Sequence, residues 1–148
     1  MDAILGGGMS SRLFPRVREE LGLAYAVYTF QCFHPDTGTH GVYVGTAAAT
    51  AERAREAIRE ELSRLSSESL TAEEIEAGKS QLKGQVTLSL ESVSSRMYRA
   101  AGVALYDEPY RTLDEVLALI DAITPEDVAS VSREFYAPEK QTVVSLGP

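Results

Sequence analysis

Tryptophan is absent from this chain, and cysteine and histidine nearly so, with one Cys and two His in 148 residues. A lone Cys32 excludes an internal disulfide and any zinc site built from several thiolates. Its place in a strand-like run, Thr29 to Phe33, predicts a small buried apolar side chain. His34 and His40 flank a Pro-Asp-Thr-Gly turn, where solvated loop residues are expected. They lack the helical spacing, with a glutamate alongside, that a catalytic zinc site requires. Basic residues are also in short supply: 14 Lys and Arg against 22 Asp and Glu leave a net charge of −8. Such a field repels phosphate backbones, so nucleic acid is not an expected partner. No window approaches the roughly 20 apolar residues of a membrane span, and no membrane partner is expected either.

What is present is the composition of one globular domain, 44% apolar and 24% charged, spanning residues 1–148. Met1 to Leu5 read like the last turn of a helix that begins upstream, so the chain is expected to be a fragment of a longer protein. Gly6, Gly7 and Gly8 follow, a backbone that turns sharply or lets another segment come close. No Lys-Ser or Lys-Thr follows them, which removes the phosphate-loop reading and leaves close packing between helix and strand. Ser10 or Ser11 can cap a helix whose apolar stripe is Leu13, Phe14, Val17 and Leu21, with Gly22 past its end. Pro15 fits in the first turn; the alternative is a helix that starts late, near Phe14, and is two turns long.

Strand composition begins at Leu23 and runs to Phe33, and a return strand is predicted over residues 39–46. Residues 141–146 are a candidate third strand, and a further strand from upstream or from another chain would complete the sheet. Between these the chain reads as helix. Ala51, Ala54, Ile58, Leu62 and Leu65 make one stripe, stopped by the cluster Ser66-Ser67-Glu68-Ser69. Thr71 with Glu74 and Thr112 with Glu115 are capping boxes; the first opens a long helix through Ile75, Leu82 and Val86 that Gly78 and Gly84 weaken. The second opens a short helix burying Leu113, Val116, Leu117 and Ile120. A helix over residues 93–106 lies between them, and Thr124-Pro125 starts the last one, with Val128, Val131 and Phe135 predicted on its buried side. Strands and helices are segregated, so the fold class is α+β, a mainly antiparallel sheet with several helices packed on one face.

Ser10 and Ser11 have no histidine at motif spacing, and neither they nor Cys32 is assigned as a catalytic residue. From the residues alone, Arg18 reads as a surface charge beside Glu19 and Glu20, and Tyr25 as a side chain on the sheet surface. The ordered string over residues 5–28 changes that reading: three glycines, Ser-Ser-Arg-Leu-Phe, then Val-Arg-Glu-Glu-Leu-Gly-Leu-Ala-Tyr. It resembles the C-terminal half of the pitrilysin/insulinase family of zinc metallopeptidases, which includes the mitochondrial processing peptidases. A looser similarity in helix order extends over the rest of the chain.

The resemblance implies an α+β unit that carries no zinc itself. It implies zinc bound by His-x-x-Glu-His in an N-terminal half or a partner subunit, and a peptide or protein substrate gripped by an Arg and a Tyr. By that carry-over Arg18 and Tyr25 are the substrate-binding pair, and the chain alone is inactive. The alternative is a non-catalytic subunit or structural member of the same fold, acting in assembly. An incomplete sheet or uncovered apolar stripe also makes a homodimer an expected partner state.

Overall fold

The computed structural model describes residues 1–68 and 70–147. Its elements run α1 (Asp2–Leu5), a π-helix (Phe14–Glu20), β1 (Ala26–Phe33), β2 (Gly38–Gly45), α2 (Ala51–Ser67), α3 (Ala72–Ser89), α4 (Val93–Leu105), α5 (Leu113–Ala122) and α6 (Pro125–Phe135). The two strands pair as an antiparallel hairpin, Val27 opposite Val44 and Tyr28 opposite Tyr43. The class is α+β, as the segregated pattern implies. Val27, Thr29, Val42 and Val44 face the helical side, while Tyr28, Phe30 and Tyr43 look outward.

The helices start where their caps dictate. Thr71, Thr112 and Thr124 each accept from the backbone N–H three residues on, and Glu74, Glu115 and Asp127 reach back to the cap N–H. These reciprocal bonds hold the carboxyls of Glu115 and Asp127 below their ordinary range. At Glu74 partial burial works the other way, but the Thr71 N–H and the Arg12 guanidinium 2.7 Å away outweigh it. That ion pair ties the segment after the glycines to the start of α3. At the end of α2, Ser66 and Ser67 turn their hydroxyls back onto the Ser63 carbonyl; Ser69 of that cluster lies outside the described residues.

Leu5, Leu13, Val17 and Leu65 are fully withdrawn from water and form the centre of the core with Val27, Ala54 and Ile58. Burying each such side chain contributes about 1.5–3 kcal/mol. Close approach of α1 to β1 makes this possible. A Cβ on Gly6 would stand 2.7 Å from the Thr29 Cγ2 and 2.8 Å from its backbone nitrogen, and the Thr29 N–H points to the Gly6 carbonyl at 3.4 Å.

Several expectations are corrected. Residues 141–147 form no strand among the described residues, and Val144 and Leu146 are 88% and 102% exposed. Each strand of the hairpin keeps an open outer edge, but among the described residues 141–147 pair with neither. The first helix is a π-helix preceded by Leu13, without a side-chain cap; Ser11 bonds back to the Gly8 carbonyl instead. Pro15 does lie in its first turn, and the helix starts at Phe14, the later of the two alternatives. Cys32 is exposed, because position 32 falls on the outward face of β1. Leu82, Val131 and Phe135 are exposed as well, at 36%, 38% and 61%, since nothing described covers those stripes.

His40 is not a solvated loop residue. It sits inside β2 on the inner face, where its Nδ1 and the Tyr136 hydroxyl are hydrogen-bonded at 3.2 Å and its ring meets the Tyr136 ring edge-on. The Asp2 carboxylate faces its other nitrogen at 3.6 Å. Burial and the Asp2 charge push the Tyr136 phenol up to about 12, so it keeps its proton. The His40 imidazole is held below its ordinary 6.5, burial outweighing the attraction of Asp2, with the Met1 amine opposing the charge too. Strand, first helix and last helix thus meet at one partly buried imidazole.

Three outcomes follow for stability. Gly6→Ala should lower it by about 1–3 kcal/mol through overpacking against Thr29. Gly84→Ala, in the interior of α3 with open space around it, should raise it by about 0.5–1 kcal/mol, both read as melting temperature. Because the folded state lowers the His40 pKa, the unfolded chain takes up the proton first, so stability should fall as pH drops below about 6.5. Thermal unfolding at pH 7, 6 and 5 should show that decline, and His40→Gln should flatten it; an equal decline in the variant would refute the assignment.

Candidate functional site

The chain between Phe14 and Tyr28 turns through a wide helical coil, a glycine reversal and the start of a strand. Pro15 supplies no N–H and fixes its own φ, which suits the first turn of the coil. The coil then closes with the Leu21 N–H donating to the Arg16 carbonyl at 3.2 Å, the i→i+5 reach of a π-helix. Val17 and Leu13 anchor its inner side in the core, which leaves Arg18, Glu19 and Glu20 on the solvent side. Gly22 follows in the left-handed region at φ 59°, a conformation only glycine adopts without cost. The Leu23 N–H donates to the Val17 carbonyl at 2.9 Å and locks the reversal.

Arg18 and Tyr25 come together on this surface. The Arg18 guanidinium carbon lies 4.9 Å from the centre of the Phe14 ring and 5.6 Å from that of Tyr25, within cation–π reach of both. Among the described residues Arg18 makes no ion pair; the neighbouring Glu20 is taken by Arg16 at 3.1 Å. Its donors therefore stay free. Tyr25 is 86% exposed, although its backbone is pinned: the Tyr25 N–H donates to the Gly45 carbonyl at 3.0 Å, and the Thr46 hydroxyl donates to the Leu23 carbonyl at 2.5 Å. A shallow recess of about 510 Å³ opens beside it, lined by Ala24, Tyr25, Tyr43, Thr46 and Thr50.

Phe14 and Tyr43 are the residues that sequence reasoning did not single out here. Phe14 reads as one more member of an apolar stripe, and Tyr43 as a strand alternation. Only the coil geometry and the hairpin register carry them to Arg18 and Tyr25.

The other polar side chains converge less. Cys32 Sγ lies 3.5 Å from His34 Nε2 at the exposed tip of the hairpin, and His40 is engaged with Tyr136. No group of three or more His, Cys, Asp or Glu among the described residues stands close enough to hold a metal ion. The donor set of this chain does not fit zinc. What the Arg18 surface can do chemically is donate hydrogen bonds to an oxygen: a planar guanidinium fork and, across from it, a phenol.

Comparison with known proteins places this geometry in a family. Residues 1–82 match the family model described as the peptidase M16 inactive domain. The uncharacterized zinc protease YmxG of Bacillus subtilis is 39% identical over 136 residues, covering 92% of this chain and 33% of its own length. The chain therefore spans about a third of that relative. Among solved structures, the peptidase M16 inactive domain from Pseudomonas fluorescens superposes with a TM-score of 0.79 at 24% identity, over 90% of this chain and 32% of that one. A chain of complex III2 from Candida albicans gives a TM-score of 0.74 at 25% identity, over 84% of this chain and 30% of its own. With more than half its length matched by that model and its fold shared by these structures, the chain belongs to the peptidase M16 inactive-domain family.

Proposed function

We propose that this chain is the substrate-binding portion of a zinc-dependent metalloendopeptidase, and that Arg18 and Tyr25 grip the peptide while a zinc-bearing domain or subunit carries out the cleavage. The observation that supports it is the Arg18 guanidinium within reach of both the Phe14 and Tyr25 rings and, among the described residues, without a carboxylate partner. In this reading the guanidinium donates to a peptide carbonyl or carboxylate. The Tyr25 hydroxyl donates to an oxygen that grows more negative as the scissile carbonyl is attacked. A donor aimed at developing charge stabilises the transition state more than the ground state, and so acts on kcat. Zinc and the base that activates water belong to the other domain or subunit.

A second reading, a non-catalytic member of the fold acting in assembly, is favoured by the likeness to a complex III2 chain. Both readings accommodate the exposed apolar residues of α4, Val93, Met97 and Leu105, as a surface for another domain or for a second copy.

Kinetics of the full-length protein, or of the complex with its zinc-bearing partner, separate the two. Tyr25→Phe keeps the ring under Arg18 and removes only the hydroxyl, so it should lower kcat about 100- to 1000-fold with little change in KM. Arg18→Ala should do at least as much damage and Arg18→Lys should restore only part of it, an ammonium being unable to reproduce the planar fork. Unchanged turnover in both would leave the assembly reading standing. Elemental analysis of this chain, stripped with chelator and reloaded, should find well under one zinc per molecule; one tightly held ion would overturn the division of labour.

A further inference from the structure

The hairpin has a second surface that the Arg18 site does not use. On its outward face the Tyr28 and Tyr43 rings stack across the strands with centroids 4.9 Å apart and planes at 25°. Beside them the Phe30 ring lies over Gly41, filling the space a Cβ would need there. Tyr28, Phe30 and Tyr43 are 47%, 48% and 48% exposed, so the three rings form a flat strip, half-open to solvent. No outward position from Ala26 to Cys32 on β1, or from Thr39 to Gly45 on β2, carries Asp, Glu, Lys, Arg or His. In a chain of net charge −8 that is an uncharged surface.

The strip is continuous with the Arg18 site. Tyr43 lines the same recess as Tyr25. Tyr28 follows Tyr25 by three positions across the bend at Tyr25, a separation of at most roughly 10 Å at about 3.3 Å per residue. An extended peptide advances by the same step.

We infer that the outward strip of Tyr28, Tyr43 and Phe30 is a specificity subsite that takes an aliphatic or aromatic side chain of an extended, uncharged peptide segment, about three residues from the carbonyl held at Arg18 and Tyr25. This rests on the grip proposed above. The side chain loses water contact against three rings whose own half-exposed faces are covered at the same time, and no charge on the strip has to be desolvated. An acidic or basic residue at that position gains no partner and gives up its hydration.

The test uses the full-length zinc-bearing protein, or the complex with its zinc-bearing partner, and internally quenched peptides of Ser and Gly with a single Leu walked along the sequence. One register, about three residues from the gripped carbonyl, should raise kcat/KM about tenfold over the Leu-free peptide. In the Tyr28→Ser/Tyr43→Ser double variant that ratio should fall toward one. Phe30→Ser is the second variant, with the same expectation if the double variant fails to fold by circular dichroism. A ratio that stays near ten in the variants overturns the inference. So does sedimentation showing that they only dissociate a dimer, which would make the strip a contact between copies of this chain. Arg18→Ala should lower both peptides in equal proportion and leave the ratio intact. If Arg18→Ala and Tyr25→Phe leave turnover unchanged, the grip falls and the subsite with it. If they act as expected while the Leu preference survives loss of the tyrosines, the subsite alone falls.

Discussion

The contact between Gly6 and Thr29 sets the geometry on which the rest is built. With no Cβ at position 6, the backbone of the first helix comes down onto β1 and drops Leu5 into the same space as Leu13, Val17 and Val27. The segment that leaves this contact must then double back. The Arg12 N–H donates to the Ile4 carbonyl at 2.9 Å, and the Arg12 side chain pairs with Glu74 on α3. Once Leu13 and Val17 are seated, the π-helix has one orientation, and the solvent side it shows is the Arg18 side. Packing at the glycine and the presentation of a guanidinium some way along the chain are therefore one constraint, met by apolar burial on one side of a short coil.

Features fixed by local chemistry were legible in the sequence. The threonine caps of α3, α5 and α6, the proline in the first turn of α6, and Gly22 after the coil depend on atoms within a few residues, and each stands where the pattern put it. The hairpin was legible for the same reason, through alternation on either side of a turn. Features that depend on a distant partner were not. A β-rich run at residues 141–146 has strand propensity but pairs with neither edge of the hairpin, and Val131 and Phe135 have helical periodicity but nothing over them among the described residues. Cys32 was misplaced by parity, since in a strand a one-residue difference decides between core and water and only the pairing register says which, and His40 by a boundary, read as loop although it lies inside β2. The Arg18 site was half legible. Its two named residues were readable through a resemblance, while Phe14 and Tyr43 joined it through tertiary geometry.

Holding Arg18 against two rings has an energetic side. A cation over an exposed aromatic face gains only about 0.5–1 kcal/mol, so the arrangement adds little to stability. It restricts a long, rotamer-rich side chain instead. Fixing such a chain on binding costs about 0.5–1.5 kcal/mol, and in the reading proposed above a guanidinium already held against two rings has met part of that cost before substrate binds. Glu20, drawn aside by Arg16, is kept from competing for the same donors.

The wide coil itself carries a consequence for how this stretch can change over generations. Leu13 and Val17 point into the core and Arg18 points out, all within one and a half turns whose beginning is fixed by a proline and whose end is fixed by a left-handed glycine. A substitution alters one side chain and leaves the phase of the coil alone. A single-residue insertion or deletion between Phe14 and Gly22 turns everything after it out of phase with the core, which buries a charge or exposes Val17. Length, more than composition, is what selection must guard in this segment, and drift should leave its spacing intact long after many of its letters have changed.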